Sequence, residues 1–88
     1  MARLLDFYAT WCGPCKVLSK KLEGFDTCEL VKIDIEEEEN DELVDKFGIR
    51  SVPTLVLVDD NGEKLQSWVG LQDVEKLKEE ISALKGEN

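Results

Sequence analysis

An α/β fold on a four-stranded mixed sheet, with helices on both faces, is the class the sequence predicts. Three observations predict it. A strand pattern, a helix pattern and a second strand pattern follow one another within residues 3–35, and such a β-α-β crossover demands parallel strands. The run "TLVLVDDNGEKLQSWVG", residues 54–70, reads as two strands around an Asn61-Gly62 turn, which demands antiparallel ones. A short helix stands between these units and an amphipathic helix follows them. The order is βαβ, short helix, ββα, and residues 1–88 are expected to form one domain, near the lower size limit for an independent core.

Each element has its own warrant. Residues 3–9, "RLLDFYA", are almost continuously apolar, as suits a strand buried on both faces. Pro14 fits the first turn of a helix, where its missing N–H is no loss. That helix continues with Val17, Leu18 and Leu22 as an apolar stripe and Gly24 as its stop. "CELVKIDI", residues 28–35, alternates as a half-buried strand. Asn40 is placed to cap "DELVDKF", whose Leu43, Val44 and Phe47 face inward before Gly48 ends it. In "DVEKLKEEISALK", Asp73 is the expected cap, and Val74, Leu77, Ile81 and Leu84 recur at helical spacing.

Composition excludes several functions. The formal charge is −9 with no histidine. So acidic a surface repels phosphate backbones and anionic lipid, arguing against nucleic-acid and membrane partners. Without histidine, Cys–His and Ser–His catalysis are closed. Three cysteines do not make a disulfide-stapled secreted scaffold. No signal peptide is evident before "WC", and no apolar run reaches membrane-spanning length. A cytoplasmic setting, where thiols stay reduced, is the expectation.

There a close cysteine pair is catalytic or metal-binding rather than structural. Cys12 and Cys15 sit at the expected helix start, where unpaired N–H groups and the helix dipole favour a thiolate, the reactive form. Cys12, beside Gly13 and Pro14, is expected to be the exposed nucleophile. Cys15, one turn further in, is expected to be shielded and able to resolve a mixed disulfide on Cys12. A zinc site needs more ligands than Cys28 alone can add, so no metal is expected. A static bridge across so small a loop adds little stability. Asp6, inside an apolar strand, is expected to be desolvated with a raised pKa, suited to proton transfer, unless that strand faces solvent on one side.

"DFYATWCGPCK" at 6–16 and "FGIRSVPTLVLVDDNG" at 47–62 resemble the thioredoxin family, and the similarity extends through Val69-Gly70 to the last helix. It covers nearly the whole chain. Thioredoxins usually carry a strand and a helix ahead of this point, so the sequence resembles a minimal or glutaredoxin-sized thioredoxin-like fold. The resemblance implies a dithiol–disulfide oxidoreductase that reduces protein disulfides and needs no cofactor beyond a Cys12–Cys15 redox disulfide. It implies Cys12 as attacking thiol, Cys15 as resolving thiol, Asp6 as the buried proton acceptor and Lys32 as its lysine neighbour. It makes Pro53 a cis-proline facing the site. Trp11, Gly13, Pro14, Val52, Pro53 and Gly70 would line a shallow groove in which the Val52 backbone pairs with an extended substrate. The implied partners are a thioredoxin-reductase-type flavoprotein and disulfide-containing proteins, met by a monomer.

Some residues depart from the family. Ser19 and Lys20 stand where a kinking proline is common, and Tyr8 where tryptophan is frequent. Cys28 reads as a small strand residue, with regulatory oxidation as the alternative. Trp68 reads as a cover for sheet or helix. "EEEEN" at 36–40 reads as a solvated helix entry. Two rivals stay open: a glutathione-dependent, glutaredoxin-like reductase, although Cys-Pro-Tyr-Cys is that family's usual motif, and a non-catalytic binding subunit that uses the same surface.

Overall fold

The computed structural model describes residues 1–85, so residues 86–88 of the expected domain lie outside the described part. The strands are β1 (Arg3–Tyr8), β2 (Glu29–Asp34), β3 (Thr54–Val58) and β4 (Lys64–Val69), in the spatial order β2-β1-β3-β4. β1 runs parallel to β2 and antiparallel to β3, and β3 antiparallel to β4. The mixed sheet required by crossover plus hairpin is what forms. The helices are α1 (Gly13–Lys21), α2 (Asp41–Phe47) and α3 (Val74–Lys85).

Alternation along the strands divides the core in two. Leu4, Leu55 and Leu57 project to one face, where Leu18 and Leu22 of the α1 segment and Val74, Leu77 and Ile81 of α3 cover them. Leu5, Phe7, Ile33, Val56 and Val58 project to the other, where α2 brings partly buried Leu43, Val44 and Phe47. Burying an aliphatic side chain stabilises by about 1.5–3 kcal/mol, and every residue of β3 is buried, so β3 is the spine of the molecule. Trp68 packs toward α3 and donates its indole N–H to Glu80 at 2.6 Å, covering the first core as expected.

Four local expectations shift. Val17 is exposed, because α1 lies with Leu18 and Leu22, four residues apart, against the sheet and turns Val17 aside. α1 ends at Lys21 rather than at Gly24, which takes φ +79° in the turn that follows. Asn40 does not cap α2 with its side chain. A 3-10 turn, Glu38–Asn40, runs directly into the helix, and the Asn40 amide donates instead to the Asp34 carbonyl at 2.9 Å. Cys28 lies just ahead of β2, packed against the first core cluster. Asp73 does cap α3: its carboxylate accepts from the N–H groups of Glu75 and Lys76 at 3.0 and 3.4 Å.

Candidate active site

The site lies where β1 runs out into α1. Ala9 follows the strand, and its carbonyl accepts from the Cys12 N–H at 3.2 Å, turning the chain. Cys12 then takes an extended backbone as the N-cap of α1, Gly13 and Pro14 open the helix, and Cys15 closes its first turn. The Cys15 N–H donates to Cys12 Sγ at 3.2 Å. The sulfur thus stands where a serine or aspartate oxygen usually caps a helix, and it meets the positive end of the helix dipole. Cys12 and Cys15 are bridged by a disulfide, with Cα atoms 5.2 Å apart.

Exposure does not separate the two cysteines. Each is 5% exposed, packed with Ala9 against Tyr8, Ile35 and Val52. The expectation of an open Cys12 and a shielded Cys15 is corrected in that respect, because Tyr8, Ile35 and Val52 pack against the pair and the Val52 carbonyl lies 3.6 Å from Cys12 Sγ. Position still distinguishes the pair, because Cys12 is the cap and adjoins exposed Trp11, Gly13 and Pro14.

The opposite wall comes from residues 51–54 and the end of β4. The Val52–Pro53 peptide is cis. The Val52 carbonyl oxygen lies 3.6 Å from Cys12 Sγ, within reach of a thiol proton once the bridge is reduced. Thr54 Oγ1 donates to the Ser51 carbonyl at 2.8 Å, and Gly70 N–H to the Pro53 carbonyl at 2.8 Å, tying β4 to this loop. Gly70 has φ +89°, a conformation that side chains other than glycine's rarely adopt. Among the described residues, no backbone hydrogen bond engages the Val52 N–H. Trp11 is 66% exposed, and its indole N–H donates to Glu36 at 2.7 Å.

Asp6 is 2% exposed on β1, on the α1 side of the sheet. Its Oδ1 has no hydrogen-bond partner among the described residues, and Lys32 Nζ stands 3.9 Å from Oδ2. Burial pushes the Asp6 carboxyl above its usual range, and the Lys32 ammonium pulls it partly back. Lys32 also lies 5.0 Å from the Tyr8 ring centroid and donates to Ser19 Oγ at 2.9 Å. A cleft of about 260 Å³ has Tyr8, Lys32 and Ser19 in its walls together with Cys15 and Lys16. Among the described residues no group of three or more histidines, cysteines or carboxylates is placed to hold a metal. No helix there is long and apolar enough to cross a membrane.

Sequence reasoning missed Glu36, the partner of Trp11, and Val69 and Leu71, exposed apolar residues on either side of Gly70. Glu36 was hidden in a run of four like residues. Val69 ends a strand and so reads as core.

A bridged cysteine pair capping a helix, faced by a cis-proline loop, defines a protein of thiol–disulfide exchange. The chain belongs to the thioredoxin family, whose family model, described as Thioredoxin, matches residues 1–83. It is a dithiol–disulfide oxidoreductase. The thioredoxin of Bacillus subtilis (strain 168) is 40% identical over 84 residues, spanning 90% of this chain and 78% of the relative. That of Staphylococcus saprophyticus is 41% identical over 83 residues, spanning 89% and 77%. Among solved structures, a point mutant of the thioredoxin from Halobacterium salinarum NRC-1 superposes with a TM-score of 0.81 at 43% identity, covering 94% of this chain and 74% of that one.

Proposed function

We propose that the protein works in the reducing direction, giving two electrons to disulfides in other proteins. The observation that carries this reading is the Gly13-Pro14 pair between the two cysteines, which accompanies reducing thioredoxins, and the Cys15 N–H aimed at Cys12 Sγ at the α1 N-terminus prepares the nucleophile. In the reduced protein that geometry favours thiolate on Cys12. The Cys12 thiolate attacks one sulfur of a substrate disulfide; a new S–S bond forms, the substrate bond breaks, and the departing thiolate takes a proton. Cys15, its proton passed to Asp6, then attacks Cys12 Sγ. The Cys12–substrate bond breaks, the second substrate sulfur leaves as a thiolate that takes up a proton from water, and the Cys12–Cys15 disulfide forms.

In the same reading Trp11, Gly13, Pro14, Val52, Pro53 and Gly70 receive the substrate as an extended segment, and the open Val52 N–H supports this. Lys32 moderates the charge on Asp6. Residues 1–88 act as one domain and as a monomer in the cytoplasm, recharged by a thioredoxin-reductase-type flavoprotein.

Reduced protein is expected to precipitate insulin by cleaving its disulfides, with turnover sustained by the flavoprotein and not by glutathione. Cys12→Ser abolishes turnover, and Cys15→Ser traps substrate as a mixed disulfide. Trapping by Cys12→Ser but not by Cys15→Ser would reverse the assigned roles. Turnover sustained by glutathione alone would favour the glutaredoxin-like rival.

A further inference from the structure

Ser19 stands on α1 one turn after Cys15, and its hydroxyl accepts a hydrogen bond from the Lys32 ammonium at 2.9 Å. Lys32 is a long, partly exposed side chain with several rotatable bonds, and such a side chain left untethered spreads its charge into water. Here one ammonium is fixed three ways. It bonds Ser19, it lies 5.0 Å from the centroid of the Tyr8 ring, and it stands 3.9 Å from Asp6 Oδ2. At that last distance it attracts the carboxylate without donating a hydrogen bond to it. Asp6 Oδ1 is left without a partner among the described residues, able to take up a proton.

We propose that Ser19 is a positioning residue for the proton step: by holding Lys32 at the mouth of the cleft, it keeps the ammonium close to Asp6 but short of capping it. This rests on the reading of Asp6 as proton acceptor. The groups facing Asp6 are few. β2 supplies Lys32 as its register neighbour, and β3 supplies apolar Leu55. The cleft that Lys32 lines beside it also has Cys15, Lys16 and Ser19 of α1 and Tyr8 of β1 in its walls. Lys16 is a second cation on that cleft, so the test has to separate the two lysines.

The sign follows from electrostatics. Burial favours protonated Asp6, and a nearby cation opposes it. Without the hydroxyl, Lys32 moves toward water and its opposition weakens. Asp6 then titrates at higher pH, and less of it is ready to accept a proton near neutrality.

The experiment compares the parent with Ser19→Ala, Ser19→Thr, Lys16→Met and Asp6→Asn, all reduced. It follows the Asp6 carboxyl carbon by NMR across pH, and insulin reduction across the same range. Alanine is a good helix former, so Ser19→Ala folds. Ser19→Ala is expected to raise the Asp6 midpoint, move the rising limb of the rate profile to higher pH and cut turnover a few-fold below it. Ser19→Thr, which keeps the hydroxyl, restores both, and Lys16→Met moves the Asp6 midpoint less than Ser19→Ala. An Asp6 midpoint in Ser19→Ala that stays put or falls overturns the tether. If Asp6→Asn instead leaves the rate profile unchanged, the proton-acceptor role fails, while the NMR midpoint still decides the tether.

Discussion

Asp6 is a carboxyl group with almost no water and one cation at arm's length. Its folded-state pKa lies above its ordinary value of 3.8, so between those two values the unfolded chain ionises first. Stability is therefore full below the unfolded value and declines as pH rises through the folded one. Asp6→Asn carries no charge to desolvate. Denaturation curves should show the variant more stable than the parent at pH 8 and similar at pH 3, with insulin reduction slowed near neutral pH. A variant less stable at pH 8 contradicts the burial argument. Gly70 gives a second expectation at this scale. Its φ of +89° makes Gly70→Ala cost about 1–2 kcal/mol, although no atom crowds the new methyl group. Thermal unfolding measures that cost. The apolar context of Asp6 was legible in "LLDFYA". The Lys32–Ser19 bond beside it was not, because that bond joins segments which no local periodicity relates.

Among the elements, the helices differ in how they begin, and the sequence showed this unevenly. Asp73 precedes an apolar pattern and caps α3 as expected. Asp73→Ala should cost about 1 kcal/mol in urea unfolding without changing turnover. Asn40 precedes a similar pattern, yet the incoming 3-10 turn gives it φ −99° and ψ 1°, away from the extended geometry that lets a cap reach back. Cap residues were legible, but the path of the chain into them was not. The same limit hid the equal burial of Cys12 and Cys15. Their order on the helix follows from spacing, whereas Val52 packs against the pair from a segment 40 residues away from Cys12. The hairpin was the most legible element. Asn61-Gly62 marks the turn, Gly62 takes φ +81°, and Asp59 accepts from the N–H groups of Asn61 and Glu63 at 2.9 and 3.0 Å.

For the whole molecule, net charge is the property that local pattern does not reveal and composition does. With −9 overall and Glu36 bonded to Trp11, the neighbour of Cys12, encounters should be steered toward cationic substrate segments. Matched disulfide peptides flanked by lysine are expected to be reduced about tenfold faster at low salt than those flanked by glutamate. Because the Debye length shrinks to about 8 Å at physiological ionic strength, the ratio should narrow as salt is added. Stopped-flow rates at several ionic strengths check this, and a ratio independent of salt removes the steering argument. That the sheet is mixed followed from the crossover and the hairpin together, since the one demands parallel strands and the other antiparallel ones.

Cys12 Sγ caps α1 and, in the mechanism proposed above, is the attacking atom, so the Cys15 amide proton is a spectroscopic reporter of the sulfur it touches. A thiolate polarises that N–H more than a neutral sulfur does. The Cys15 amide resonance should therefore move downfield as the reduced protein's Cys12 ionises, and tracing it against pH gives the thiol's acidity with no probe attached to the sulfur.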